Sequence, residues 1–268
     1  MSGSNPASTR RALQIDSSVP SSARVWNYWQ GGKDHYEVDR VAAEAYRSIA
    51  PSIETMARES RAFLSRAVAF AAGELGVRQF LDIGAGLPAG ENTHEIAQRI
   101  APQAKVVYVD SDPLVLVHAR ALLRSTPEGG VLPLPGDLHE PEPILAAASV
   151  TILDFNQPIA LMLMGVLGHI QNYDEACLIV RRLMTVLPAG SCLIHYDAVA
   201  TPQLTHAQIA YNTTGAVPYA LRTADQIAAF YEGLDVLAPG IVPCSLWRPH
   251  PGHRPATTDI YGGIARKL

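Results

Sequence analysis

The chain has 268 residues, 48% of them apolar and 17% charged, with a formal net charge of -4. That is a globular composition with room for a sizeable core and without the basic field of a nucleic-acid binder. Its 3 cysteines, odd in number and far apart, argue against a disulfide framework. The longest apolar run, 159–170, is too short to span a bilayer, and no apolar signal-peptide core follows Arg10 and Arg11. A soluble, cytoplasmic protein is expected.

Residues 1–21 read as a disordered leader rich in Ser and Pro. Residues 22–75 read as an N-terminal helical segment or lid. Val38, Val41, Ala42, Ala45 and Ile49 keep the helical repeat before Pro51, and Leu64, Ala67, Val68 and Ala71 keep it after. The stretch "RVWNYWQGGKDHYEVDR" crowds Trp26, Tyr28 and Trp29 before Gly31 and Gly32. It reads either as a glycine-hinged lid, with Tyr36 or Arg40 adding polar contacts, or as aromatics packed into the core. Arg58, Arg61 and Arg66 read as a solvated helix face, with Arg61 the candidate to reach a ligand carboxylate.

From residue 76 to 268 strands and helices alternate. "QFLDIG", "KVVYVD", "VLPLPGDL", "PIALMLMGVLG" and "SCLIHYDA" read as successive strands, and "LDVLA", "CSLW" and "IYGGIARKL" as closing strands or edges. Helices are expected at 91–100, after Asp112-Pro113, and at 173–187, 202–211 and 223–232. This alternation predicts an α/β fold, a mostly parallel sheet covered on both faces, with a ligand at the carboxyl ends of the strands.

Gly84, Gly86 and Ala89 match a loose dinucleotide fingerprint. Asp82, two residues before Gly84, argues against a diphosphate, because a carboxylate there repels phosphate and attracts a cation. S-adenosylmethionine carries an ammonium and a sulfonium and no phosphate, so it fits better. Asp110 ends the second strand, where an acid grips ribose hydroxyls. Asp137 follows the third, placed to accept from an adenine amino group. The candidate cofactor contacts are Asp82, Gly84, Ala85 and Gly86, then Asp110, Ser111, Asp137 and Leu138. Met164, Tyr36 and Arg61 complete the set.

"DIGAG", "VVYVDSDP", "GDL" and "LPAGSCLI" together resemble the S-adenosylmethionine-dependent methyltransferases. Over about residues 20–268 the chain is more closely similar to an actinobacterial methyltransferase-like family of unknown function. The stretches that carry this likeness include "QFLDIGAGLP", "VVYVDSDPLVLVHARALL" and "GLDVLAPGIVPCSLWRP". Glu91 and Asn92 depart from the family run, which has Gln-Gly-Asn before the helix. The resemblance implies a Rossmann-like sheet of seven strands, the last ones antiparallel, to which the helical pattern of residues 22–75 adds an N-terminal helical cap. It implies no substrate.

Methyl transfer to a small molecule is the first expectation, with no nucleic acid and no membrane involved. His169, after the fourth strand, is the candidate general base, and His195, Asp197 and Tyr211 are the alternatives. A nicotinamide-dependent (NAD(P)) oxidoreductase and a non-catalytic S-adenosylmethionine-binding module remain open. No metal is expected. Cys192 and His195 fall on opposite faces of one strand, and His250 and His253 lie in a Pro-rich loop.

Overall fold

Every residue of "QFLDI" is buried, which only a strand covered on both faces permits. The computed structural model describes residues 15–252 and 255–268. In it this stretch is β1 (Gln79–Ile83), with β2 (Lys105–Asp110) on one side and β4 (Ala160–Met164) on the other, all parallel. β3 (Gly130–Pro135) borders β2, and β5 (Cys192–Ala198) borders β4, again in parallel. The C-terminal β8 (Ile260–Arg266) returns antiparallel beside β5.

The sheet has 8 strands rather than the expected seven. The outermost position is split into β6 (Asp235–Val236) and β7 (Val242–Pro243), which pair with different halves of β8. Leu237 N–H still donates to the Ile264 carbonyl, residues 238–241 connect the two pieces, and of "LDVLA" only Asp235 and Val236 count as strand. "CSLW" is a correction of another kind. Cys244–Leu246 form a 3-10 turn, and Cys244 and Trp247 are buried against the long helix below. A four-residue apolar run reads alike as strand or packed turn.

The N-terminal segment resolves into α1 (Ser22–Trp29), α2 (Glu37–Ile49) and α3 (Ile53–Gly73). They pack on one face of the sheet with α4 (Thr93–Ile100) and α8 (Pro202–Tyr211). α5 (Pro113–Leu122) lies beside β2 and β3. The other face carries α6 (Pro141–Ser149), α7 (Tyr173–Val186) and α9 (Ala224–Ala229). Period-2 alternation sends Phe80, Val106 and Met162 to the first core and Leu81, Val107 and Leu161 to the second. Cys192 and His195 do face opposite ways: Cys192 joins the first core, and the His195 ring packs on Phe230 and Tyr231.

Several helix limits shift for physical reasons. α5 starts as expected, the Asp112 side chain accepting from the Leu114 N–H with Pro113 at the first position. α4 begins at Thr93 because Asn92 caps it, and α9 ends at Ala229, short of 232. α6 was not anticipated. Arg66 is no solvated residue: its guanidinium donates to the carbonyls of Trp247 and Cys244, tying α3 to the 244–247 turn. No helix among the described residues is long and apolar enough to cross a membrane. Residues 1–14 of the expected leader, and His253, lie outside the described residues.

Candidate functional site

The strand order reverses between β1 and β4, and a cavity of about 650 Å³ opens there, beyond the carboxyl ends of the strands. Asp82, Gly84 to Gly86, Asp110 and Asp137 line one end of it. Met164, His169, Tyr196 and Tyr219 line the other, and α1 closes the top.

At the first end the turn after β1 is fixed by its backbone. Gly84 N–H donates to the Val109 carbonyl at 2.8 Å, and Gly84 has φ +74. A Cβ there would lie 2.4 Å from Val166 Cγ2, so only glycine lets this turn pass under the 166–169 segment. Asp110 then anchors the turn. Its Oδ2 accepts from Gly86 N–H and its Oδ1 from Asp112 N–H, both at 2.9 Å.

Asp82 is 3% exposed, and the Thr93 hydroxyl donates to its Oδ2 at 2.8 Å. Burial pushes its carboxyl up to about 6, against the lowering effect of Thr93. Burial also raises Asp110, while its backbone donors pull it down. Among the described residues neither acid has an ion-pair partner, so together they form an electrostatic seat for a cation. Arg61 stands beside them, half-buried and held by the carbonyls of Ala89 and Glu91. Asp137 is exposed at the mouth and accepts from His139 N–H. Ser111, Leu138 and Met164 also line the cavity.

Tyr36 does not line it. Tyr36 caps α2, is 40% exposed, and lies against the Arg24 guanidinium. Arg40 is exposed and pairs with Glu37. The residues that close the top are instead Val19 to Arg24, which belong partly to the expected leader. Ser21 Oγ donates to Asp112 Oδ2 at 2.7 Å, and Ser21 N–H donates to Asp39 Oδ1 at 2.9 Å. Arg24 and Asp39 form an ion pair at 2.7 Å with both side chains buried. Sequence reasoning missed this fastening. The signal for it, an arginine and an aspartate 15 residues apart on different helices, has no periodicity to betray it.

At the second end His169 is half-buried and lies in a 3-10 turn after β4. Its Nδ1 is 3.1 Å from the Pro218 carbonyl. A carbonyl only accepts, so Nδ1 carries the proton and Nε2 keeps a lone pair. Burial lowers the His169 pKa below the usual imidazole value, which favours this neutral form. Residues 218–222 clasp the turn. Ala220 N–H donates to the Gly168 carbonyl and the Arg222 guanidinium to the Ile170 carbonyl. The Tyr219 ring packs edge-on against His169 at 5.1 Å. A Cβ on Gly168 would sit 2.2 Å from that ring, so glycine is required for the clasp to close.

The other candidate bases are placed differently. Asp197 is 1% exposed, accepts from the Tyr219 hydroxyl and lies 3.5 Å from Arg222. It belongs to the support behind His169. His195 is fully buried beside it, 3.7 Å from Asp197, with neither ring nitrogen hydrogen-bonded. Tyr211 lines the cavity, but its buried hydroxyl has no partner.

A family profile described as S-adenosyl methyltransferase matches residues 8–268. A crystal structure of a DUF574 family protein from Streptomyces avermitilis is similar at 39% identity. It covers 95% of this chain and 100% of that one, with a TM-score of 0.88. A provisional methyltransferase from Thermobifida fusca is similar at 36% identity, over 96% and 97% of the two chains, with a TM-score of 0.87. The mitomycin 7-O-methyltransferase MmcR shares the fold at a TM-score of 0.51 and 20% identity, over 96% of this chain and 74% of that one. No curated protein sequence matches. The acids and glycines around the cavity suit the cofactor of such enzymes, and the chain belongs to the S-adenosyl methyltransferase family, with S-adenosyl-L-methionine as its cofactor.

Proposed function

We propose that the chain transfers a methyl group from S-adenosylmethionine to a small-molecule acceptor, with His169 as general base. The observation that carries this is one cavity with Asp82 and Asp110, acids without an ion-pair partner among the described residues, at one end and a clasped imidazole at the other.

When bound, S-adenosylmethionine supplies a methyl group on a good leaving group. Asp110 would hold the ribose hydroxyls, Asp137 and the Leu138 backbone would hold the adenine, and Asp82 would take the ammonium. Arg61 would reach the carboxylate with the part of its fork not spent on Ala89 and Glu91. Gly84, Ala85 and Gly86 bring the backbone close, with Ser111 and Met164 alongside. A dinucleotide in the same place would set its diphosphate against Asp82 and Asp110. His169 Nε2 takes the proton from an acceptor that must lose one, and the clasp keeps the ring from turning.

Calorimetric titration with S-adenosylmethionine and its demethylated product tests the reading. A labelled-methyl screen against extract then finds the acceptor. With that acceptor, His169→Gln lowers kcat by about 10² to 10⁴ and leaves cofactor affinity unchanged. A kcat within about threefold of wild type removes His169 as base.

Asp82 makes cofactor affinity depend on pH. Its raised pKa means that a proton competes with the ammonium below about 6. Affinity should therefore tighten as pH rises through that value, by about tenfold between pH 5 and 7. Asp82→Asn should flatten the dependence. A wild-type affinity that is flat over this range contradicts the assignment.

A further inference from the structure

The cavity is charged at one end and carries no uncompensated charge at the other. The first end holds Asp82 on β1, Asp110 on β2 and Asp137 just after β3, with Arg61 beside them. The second end lies over β4, β5 and β8, where Met164, Tyr196 and Ile260 line the floor. α1 starts at the first end, through Ser21 on Asp112, and finishes at the second, with Trp29 against Tyr46. Its rings begin a continuous aromatic wall. Trp26 and Trp29 meet edge-on at 5.5 Å, Trp29 and Tyr46 at 5.1 Å, and Tyr46 and Tyr211 at 6.2 Å. All of these rings border the cavity.

The charges near this wall are already matched. Arg24 is paired with Asp39 and also donates to the Val19 carbonyl at 2.7 Å. Asp197 takes the Tyr219 hydroxyl and faces Arg222 behind the wall. His169 turns its Nδ1 to the Pro218 carbonyl, and burial favours its neutral form. A carboxylate or ammonium on the acceptor would lose its water here and gain no counter-ion, a cost of several kcal/mol for an isolated ion. A flat uncharged molecule would instead meet ring edges and faces along the wall, the contact that aromatic side chains favour.

The volume sets the size. About 650 Å³ falls within the roughly 300–1,000 Å³ of a single small-molecule pocket. With the cofactor in place, the remainder suits a molecule of a few rings.

We infer that the acceptor is an uncharged aromatic hydroxyl compound, methylated on oxygen in the half of the cavity walled by Trp26, Trp29, Tyr46 and Tyr211. This rests on the methyl-transfer reading above and names the substrate class for it. The acceptor oxygen gives up its proton to His169 Nε2 and forms a bond to the methyl carbon. The carbon–sulfur bond breaks with its electron pair staying on sulfur, which leaves as a neutral thioether. His169 then returns its proton to solvent, so no oxidant or reductant is needed.

The test uses three probes with one ring system: 2-naphthol, 2-naphthoate and 2-naphthylmethylamine. The 268-residue chain is first saturated with the demethylated cofactor, and its binding is verified by calorimetry. Failure at that step counts against the methyl-transfer reading and leaves the substrate class to a separate measure, the binding of the probes to the free protein. Probe binding is then followed by equilibrium dialysis, and transfer by labelled methyl. The naphthol should bind at least tenfold more tightly than either charged probe and be the one that accepts label. Trp26→Ala, at a half-buried ring, should weaken the naphthol at least tenfold while leaving the affinity for the demethylated cofactor within twofold. Tighter binding of the carboxylate or the amine overturns the inference. So does the absence of naphthol binding to a protein that binds the cofactor product, or an unchanged naphthol affinity in Trp26→Ala.

Discussion

Asp110→Ala should lower the affinity for S-adenosylmethionine by about 100-fold or more. Two hydrogen bonds from ribose hydroxyls to a carboxylate are worth about 1.5–3 kcal/mol each, and each 1.4 kcal/mol is a factor of ten. The substitution also removes the acceptor of the Gly86 and Asp112 N–H groups, so the turn after β1 loses its anchor as well. Asp137→Ala provides the contrast. That side chain is exposed and shared with His139 N–H, and its loss should cost about tenfold at most. Calorimetry reads both effects, and a thermal melt without ligand separates them from unfolding. An Asp110→Ala protein that melts normally and binds within threefold of wild type would remove Asp110 from the cofactor site.

The second large effect is on stability. Asp39→Ala should destabilise the fold by about 3–5 kcal/mol, the cost of leaving one partner of a buried ion pair alone. Asp39 is fully buried and accepts from Arg24, from Ser21 N–H and from Tyr36 N–H at the start of α2. Its removal strands a buried guanidinium and uncaps a helix together. For a chain of this size the loss amounts to a fall in Tm of roughly 10 °C. Replacing both partners, as Arg24→Met with Asp39→Leu, should recover much of that loss, since a buried pair is often matched by apolar residues of similar volume. Chemical denaturation of the single and double variants decides the point. Equal destabilisation of both would show that the ion pair itself, rather than the orphaned charge, holds α1 to α2.

The strand ends were the most legible part of the sequence. A buried strand running into Gly84 must turn sharply, and an acid at the end of each following strand must face the crevice or a turn. Asp82 and Asp110 could therefore be placed before any coordinate was known. Asp112-Pro113 was as plain, because a capping acid followed by proline has one use at a helix start. Long-range fastening was not legible. Thr93 meets Asp82 from the next helix, Ser21 meets Asp112 across 91 residues, and Tyr219 meets Asp197 from a loop. None of these pairs leaves a local pattern. The N-terminal segment was half legible: aromatics beside glycines marked it, yet Tyr36 went to a helix cap while Trp26 and Trp29 pack with the first core and also border the cavity. Arg66 misled for a related reason, since a long cationic side chain on an amphipathic helix reads as solvated until its carbonyl partners are known.

The borders of the sheet have a consequence for self-association. On β3, Gly130 and Gly136 turn their N–H groups inward to Ala104 and Asp110. Alternation then points positions 131, 133 and 135 outward, and two of those are the prolines Pro133 and Pro135, which have no N–H to offer. The opposite border is broken into β6 and β7, each 2 residues long. Both margins are poor templates for an incoming backbone, which works against copies of this chain zipping into a continuous ribbon through their sheets. Association of like subunits through these sheet edges is disfavoured on both sides.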